Sequence, residues 1–203
     1  MTLASAVQKA RDYSVPVDNI ERAIKRAAGE TGGAQYQEVT YEGYGPGGVA
    51  VLVEAVTDNR NRTGQDVRHT FSRMGGTLGD PGSVAWMFNR RGLIVVEKTL
   101  APEEDQLLEV ILEAGAEDLR DSGAHWEIVT PPDALVAVRK ALEEGAVQFV
   151  SAELTMLPST EVPLDRDKAE SVLRLVEALE DLEDVQNIYS NFDIPEQVLA
   201  ETG

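Results

Sequence analysis

Arginine is the residue type whose placement in this sequence suggests chemistry. Arg60, Arg62, Arg68 and Arg73 fall on or just before one stretch of helical periodicity, and Arg90 and Arg91 stand together in a predicted tight turn. A guanidinium donates to phosphate oxygens through a planar bidentate fork, and a helix N-terminus adds oriented N–H groups, so these six are candidate phosphate contacts. Lys9, Arg22, Lys25 and Arg26 form a second cationic group near the start of the chain. The competing reading is a solvated charged face, with Arg62 and Asp66 as an i, i+4 pair. Such a pair contributes only about 0.2–0.5 kcal/mol.

Catalytic constellations are harder to find. The chain has no Cys, so it has no thiolate metal site and no cysteine nucleophile. Its two histidines, His69 and His125, fall in different predicted domains and would need carboxylate help to hold zinc. Acids are plentiful, but no pair is singled out as flanking a cleft. Glu54 is the oddest carboxylate, lying inside an apolar strand, and is expected to lean to solvent or pair with an arginine. The run 43–48, Gly-Tyr-Gly-Pro-Gly-Gly, fits G-x-G-x-x-G, yet the dinucleotide fingerprint needs a helix after it and here a β-branched strand follows. It reads as a turn feeding a sheet. Trp86, Phe88 and Trp126 could stack on bases, but their places in apolar strands assign them to core packing. The expectation is a protein without catalytic activity, cofactor or metal.

The elements that must position these residues follow from periodicity. Leu3, Val7 and Ala10, then Ile20, Ala23, Ile24 and Ala27, mark two short helices separated by a Pro16 break. Residues 49–56 form a nearly continuous apolar run, as a strand buried on both faces requires. Val67, Phe71 and Met74 supply one face of the arginine-bearing helix. Residues 83–89 and 93–97 read as two strands joined through Arg90-Arg91-Gly92. Helices follow Pro102 and Pro131-Pro132, each closed by a glycine, Gly115 and Gly145. Strands are expected near 118–120, 125–130 and 149–157. The pieces 112–116 and 142–146, LEAGA and LEEGA, make a weak α–β pseudo-repeat. An amphipathic helix over 165–181 and a strand over 185–189 close the set.

The class is α+β: a helical domain over 1–38, a discontinuous α+β domain from 39–97 and 159–203, and an inserted α+β domain over 98–158. Charge is unevenly divided among these parts. From residue 99 onward six bases face 25 of the 36 acids, whereas residues 39–98 hold seven bases and six acids. A net charge of -18 argues against non-specific coating of nucleic acid, which depends on counterion release by Lys and Arg. Any nucleic-acid contact must come from the first half. No apolar run reaches the length of a membrane span, so the protein is expected in the cytoplasm, away from membranes.

Several motifs carry a resemblance. Residues 41–48 (YEGYGPGG), 57–63 (TDNRNRT), Val67-Arg68-His69 and 79–84 (GDPGSV), with 113–118 (EAGAED), resemble the YebC-like family over nearly the whole chain. Members are known as probable transcriptional regulators, and the group includes mitochondrial translational activators of cytochrome c oxidase. The resemblance implies a helical first domain followed by two α+β domains, one inserted in the other. It also implies a DNA-binding regulator of gene expression or, alternatively, a ribosome-associated translation factor meeting ribosomal RNA. Family members usually begin with a longer basic segment carrying Gly-His-Ser-Lys-Trp, so the helical domain here is expected to be truncated.

Overall fold

A computed structural model of the chain describes residues 36–194, with Val7 and Ile24 as single helical positions before them. The expected helical domain, including Lys9, Arg22, Lys25 and Arg26, lies outside the described residues.

In chain order the elements are β1 (Gln37–Tyr44), β2 (Ala50–Thr57), α1 (Arg60–Arg73), β3 (Thr77–Leu78), β4 (Phe88–Glu97), α2 (Glu104–Glu113), β5 (Asp118–Ser122), β6 (His125–Thr130), α3 (Leu135–Glu144), β7 (Ser151–Pro158), β8 (Val162–Pro163), α4 (Arg166–Glu180), β9 (Val185–Ser190) and β10 (Phe192–Asp193). Packing divides the chain into two compact units, residues 1–87 with 160–203, and residues 88–159. The mixed α and β class matches the sequence expectation.

In the first unit the sheet runs β3-β1-β2-β9, with every pairing antiparallel. Val49, Val51 and Val53 turn toward α1 and α4, meeting Val67, Phe71, Val172, Leu175 and Leu179, all fully buried. Each such side chain stabilises the fold by about 1.5–3 kcal/mol relative to exposure. Alternation sends Leu52 and Glu54 to the other face, where Leu52 is still buried, so β2 is apolar almost throughout. Glu54 accepts hydrogen bonds from Asn187 Nδ2 and Tyr189 Oη on the neighbouring β9. Among the described residues its partners are neutral cross-strand donors and not an arginine.

Strand β1 has no counterpart among the elements expected from periodicity. Its sequence, QEVTYEGY, is too polar to announce a strand, and a close approach at its one glycine fixes it instead. A Cβ at Gly43 would lie 2.7 Å from the Phe71 ring and 2.8 Å from the Thr77 carbonyl oxygen. The glycine run is therefore half strand and half turn: Gly43 pairs with Val51, while Gly47 and Gly48 take φ of 77° and 80° in the β1–β2 connection.

The second unit has the order β4-α2-β5-β6-α3-β7 and the sheet β5-β6-β4-β7, all antiparallel, which is the split βαβ arrangement. Ile94, Val96, Leu107, Ile111, Ile128, Val138 and Leu142 make its core. Here the expected two strands about Arg90-Arg91-Gly92 are overturned. Residues 85–87 form a single 3-10 turn and Phe88–Glu97 is one uninterrupted strand at the centre of this sheet. Gly92 sits within it because a Cβ there would lie 2.3 Å from Thr130 Oγ1. Close packing against β6, not a turn, requires that glycine.

Both α2 and α3 end in the same way, but only α2 does so at its glycine. After α2, Gly115 takes φ 100° while Gly115 N donates to Leu112 and Ala116 N to Ile111. After α3, the equivalent donors are Ala146 N and Val147 N, to Glu143 and Leu142, and Ala146 holds the left-handed φ of 55°. The LEAGA and LEEGA pieces are thus out of step by one residue: Gly145 keeps φ -79° and the strained position falls to alanine.

Candidate nucleic-acid interface

The residues of α1 owe their positions to the helix start. Asn59 Oδ1 accepts from the Arg62 amide at 3.2 Å, and Thr57 Oγ1 accepts from the Asn59 amide at 2.9 Å. Thr63, one turn in, points down and donates to Asp184 at 2.6 Å. Asp184 also accepts from Thr57 Oγ1 at 3.1 Å and from Arg62 Nη2 at 2.9 Å, so one carboxylate fastens β2, α1 and the start of β9. Burial alone would raise the Asp184 carboxyl. The hydrogen bonds from Thr63, Arg62 and Thr57 outweigh it and hold the group below the ordinary carboxylate range.

Arg62 is consequently occupied. It bridges Asp58 at 3.0 Å and Asp184 at 2.9 Å, not Asp66 as the i, i+4 spacing suggests. Its proton is held more firmly than in a free guanidinium, chiefly by the Asp184 hydrogen bond. The other three arginines of the helix differ. Arg60, Arg68 and Arg73 are exposed, and none forms an ion pair among the described residues. At 3.6 residues per turn, Arg60 and Arg68 fall on one flank of α1 and Arg73 on the other with Arg62 and Asp66. The four are one cluster in sequence and two in space.

Arg90 and Arg91 are on β4, in the second unit, not in the unit that carries α1. Arg91 Nε bridges Glu117 at 2.9 Å and its Nη1 donates to the Arg90 carbonyl. Arg90 is exposed and forms no ion pair among the described residues. His69 is exposed on α1 and His125 lies on β6, in different units, and no group of three or more His, Asp or Glu among the described residues is placed to hold a metal ion.

Two residues are missed or misassigned by sequence reasoning. Glu42 is 7% exposed, and it accepts from the amides of Gly82, Val84 and Ala85 at 2.6, 2.8 and 2.7 Å. Burial pushes its carboxyl up, yet the three N–H donors outweigh that and hold it below its ordinary value. Glu42 stands opposite Leu52 in the β1–β2 register, on the face turned away from α1 and α4, so the 80–85 loop covers that face. No local signal marks this carboxylate, because its partners are about forty residues away. The other is Trp86. Of the three aromatic residues expected in the core, Phe88 is buried at 5% and Trp126 is half-buried under Lys98, but Trp86 is 72% exposed. The Asp80-Pro81-Gly82 turn signal just before it is the available hint that residues 83–87 leave the strand pattern.

The family described as "TACO1/YebC second and third domain" matches residues 36–192. A probable transcriptional regulatory protein of Thermobifida fusca is 55% identical over 200 residues, covering 98% of this chain and 80% of that protein. One of Beutenbergia cavernae, with the same name, is 54% identical over 201 residues with the same two coverages. The crystal structure of a conserved hypothetical protein from Aquifex aeolicus superposes with a TM-score of 0.80 at 46% identity, covering 96% of this chain and 80% of that one. A match over residues 36–192, with relatives this similar over almost the full chain, places the chain in the TACO1/YebC family.

Proposed function

We propose that this protein is a cytoplasmic regulator of transcription that contacts DNA through the exposed arginines of α1 in its first unit and carries out no catalysis. The observation that supports it most is the state of α1: Arg60, Arg68 and Arg73 are exposed without an ion pair among the described residues, in a chain of net charge -18. Unpaired guanidinium groups are the ones free to displace counterions from a phosphate backbone. Arg62 and Arg91, already bound to carboxylates, recede to positioning roles, while Arg90 and the group Lys9, Arg22, Lys25 and Arg26 stay as further contacts. The names of the relatives point in the same direction.

The test is a DNA-binding titration across salt concentration, set beside ribosome co-sedimentation. Removing the charges of Arg60, Arg68 and Arg73 is expected to weaken DNA binding and lower the salt slope by about 1 for each arginine replaced. An unchanged slope refutes the arginine assignment. Ribosome association without DNA binding refutes the transcription reading in favour of a translation factor.

A further inference from the structure

Trp86 is exposed but not loose. Its indole Nε1 donates to the Ser83 carbonyl oxygen at 3.1 Å. Tyr44, 37% exposed, donates its hydroxyl to the same oxygen at 3.0 Å. Both polar handles are thus spent within the protein, and what the two side chains present to a ligand is ring surface. The carbonyl that orients them is held in turn, because the amides on either side of Ser83, those of Gly82 and Val84, both donate to Glu42, and Val84 is fully buried. A buried carboxylate therefore fixes the loop, the loop fixes one carbonyl oxygen, and that oxygen fixes two exposed aromatic rings. Rings held this way lose little freedom when a flat group stacks on them.

We propose that Trp86, with Tyr44 beside it, is a stacking platform for an unpaired base of a single-stranded nucleic acid. The proposal rests on the nucleic-acid reading above and names the part of the ligand this surface takes. A base inside a duplex has both faces covered by its neighbours, so an exposed indole with no hydrogen bond to offer selects bases that are already unstacked. Cations for the attached backbone stand on α1 of the same unit. Gly76, where a Cβ would lie 2.7 Å from the Tyr44 carbonyl oxygen, follows Arg73 by three residues at the end of α1. Stacking surface and arginines thus belong to the same compact unit, and the division of labour is the usual one for single strands, with aromatic rings for bases and guanidinium groups for phosphates.

The chain has two tryptophans, so a Trp126→Phe background leaves Trp86 as the sole indole reporter in the full chain. This protein is titrated with oligothymidylate, oligouridylate and a blunt DNA duplex while its fluorescence is followed. Single strands are expected to quench Trp86, and the duplex to leave it bright. In anisotropy titrations Trp86→Ala should bind single strands roughly tenfold to a hundredfold more weakly with the salt slope unchanged, while Trp86→Phe keeps most of the affinity. Removing the charges of Arg60, Arg68 and Arg73 should do the converse and lower the slope. Full single-strand affinity in Trp86→Ala, with the arginine variant still weakened, overturns the platform and leaves the nucleic-acid reading standing. Loss of affinity in both Trp86→Ala and Trp86→Phe also overturns it, because the ring is then not what matters. Absence of binding to every oligomer overturns both. A preference for oligouridylate assigns the platform to RNA and one for oligothymidylate to DNA, and either upholds it.

Discussion

Among the described residues the two units are built from similar parts, each with a four-stranded antiparallel sheet and two α-helices, but they differ in how they treat their arginines. In the second unit five cations are each matched by a carboxylate: Arg91 with Glu117, Lys98 with Asp121, Arg120 with Asp118, Arg139 with Glu143 and Lys140 with Glu144. Exposed pairs of this kind add at most about 1 kcal/mol each to stability. Their consequence is electrostatic, since a guanidinium held by a carboxylate gains little by meeting a phosphate. The first unit pairs Arg62, and on α4 Arg166 with Glu170 and Lys168 with Asp165, but leaves Arg60, Arg68 and Arg73 of α1 without ion pairs among the described residues. It also directs two carboxylates inward, Glu42 onto three backbone amides and Asp184 onto Thr57, Thr63 and Arg62. The comparison teaches that counting bases along a sequence measures cationic potential poorly. Pairing decides how much of it is available.

The sharpest way to break that contrast is to remove the same number of charges from each unit. The triple change R60A/R68A/R73A should lower the salt slope of DNA binding by about 3, whereas R91A/R120A/R139A should leave it unaltered. Equal effects would show that ion pairing does not govern availability.

Acid probes the second half of the contrast. Glu42 and Asp184 have folded pKa values below their unfolded ones, so their contribution is fully present above the unfolded values and is lost as pH falls through the folded ones. Hydrogen exchange at pH below the ordinary carboxylate range should therefore show the first unit losing protection before the second. Glu42→Gln, which places an amide N–H₂ among N–H donors, should cost about 1–3 kcal/mol at neutral pH by denaturant unfolding and flatten that acid dependence. Gly43→Ala tests the packing beneath, and should destabilise the first unit by about 1–3 kcal/mol because the Phe71 ring or β3 must shift. The smallest effect belongs to the second unit. Ala146→Gly relieves a left-handed alanine at φ 55° and should raise its stability by about 1 kcal/mol, read as a higher midpoint in thermal unfolding.

Much of the architecture is legible where a single element carries its own pattern. The apolar run at 49–56 forms β2 with six buried positions, and the stripe Ala169, Val172, Leu179 forms the buried face of α4. Proline and acids before residues 104–113 announce α2. Legibility fails where a glycine is required by a neighbour and not by a turn. Gly92 reads as a hinge between strands, but Thr130 and Leu135 crowd it from across the second unit. Gly43 reads as part of a loop, but Phe71 and Thr77 demand it inside a strand. The arginines fail differently: their types and helical spacing are visible, but the partner that occupies Arg62 is 122 residues away.

By itself, then, the sequence determined the α+β class, the family resemblance and the helix that displays the arginines, because periodicity and capping act over a few residues. Only the tertiary structure decided that β4 runs unbroken through Arg90 and Arg91 and that Asp184 claims Arg62. It also decided that a buried Glu42 holds the loop from which Trp86 projects into solvent. Each of these depends on groups brought together from distant parts of the chain, and the free energy of a hydrogen bond or a close approach carries no mark at either residue alone.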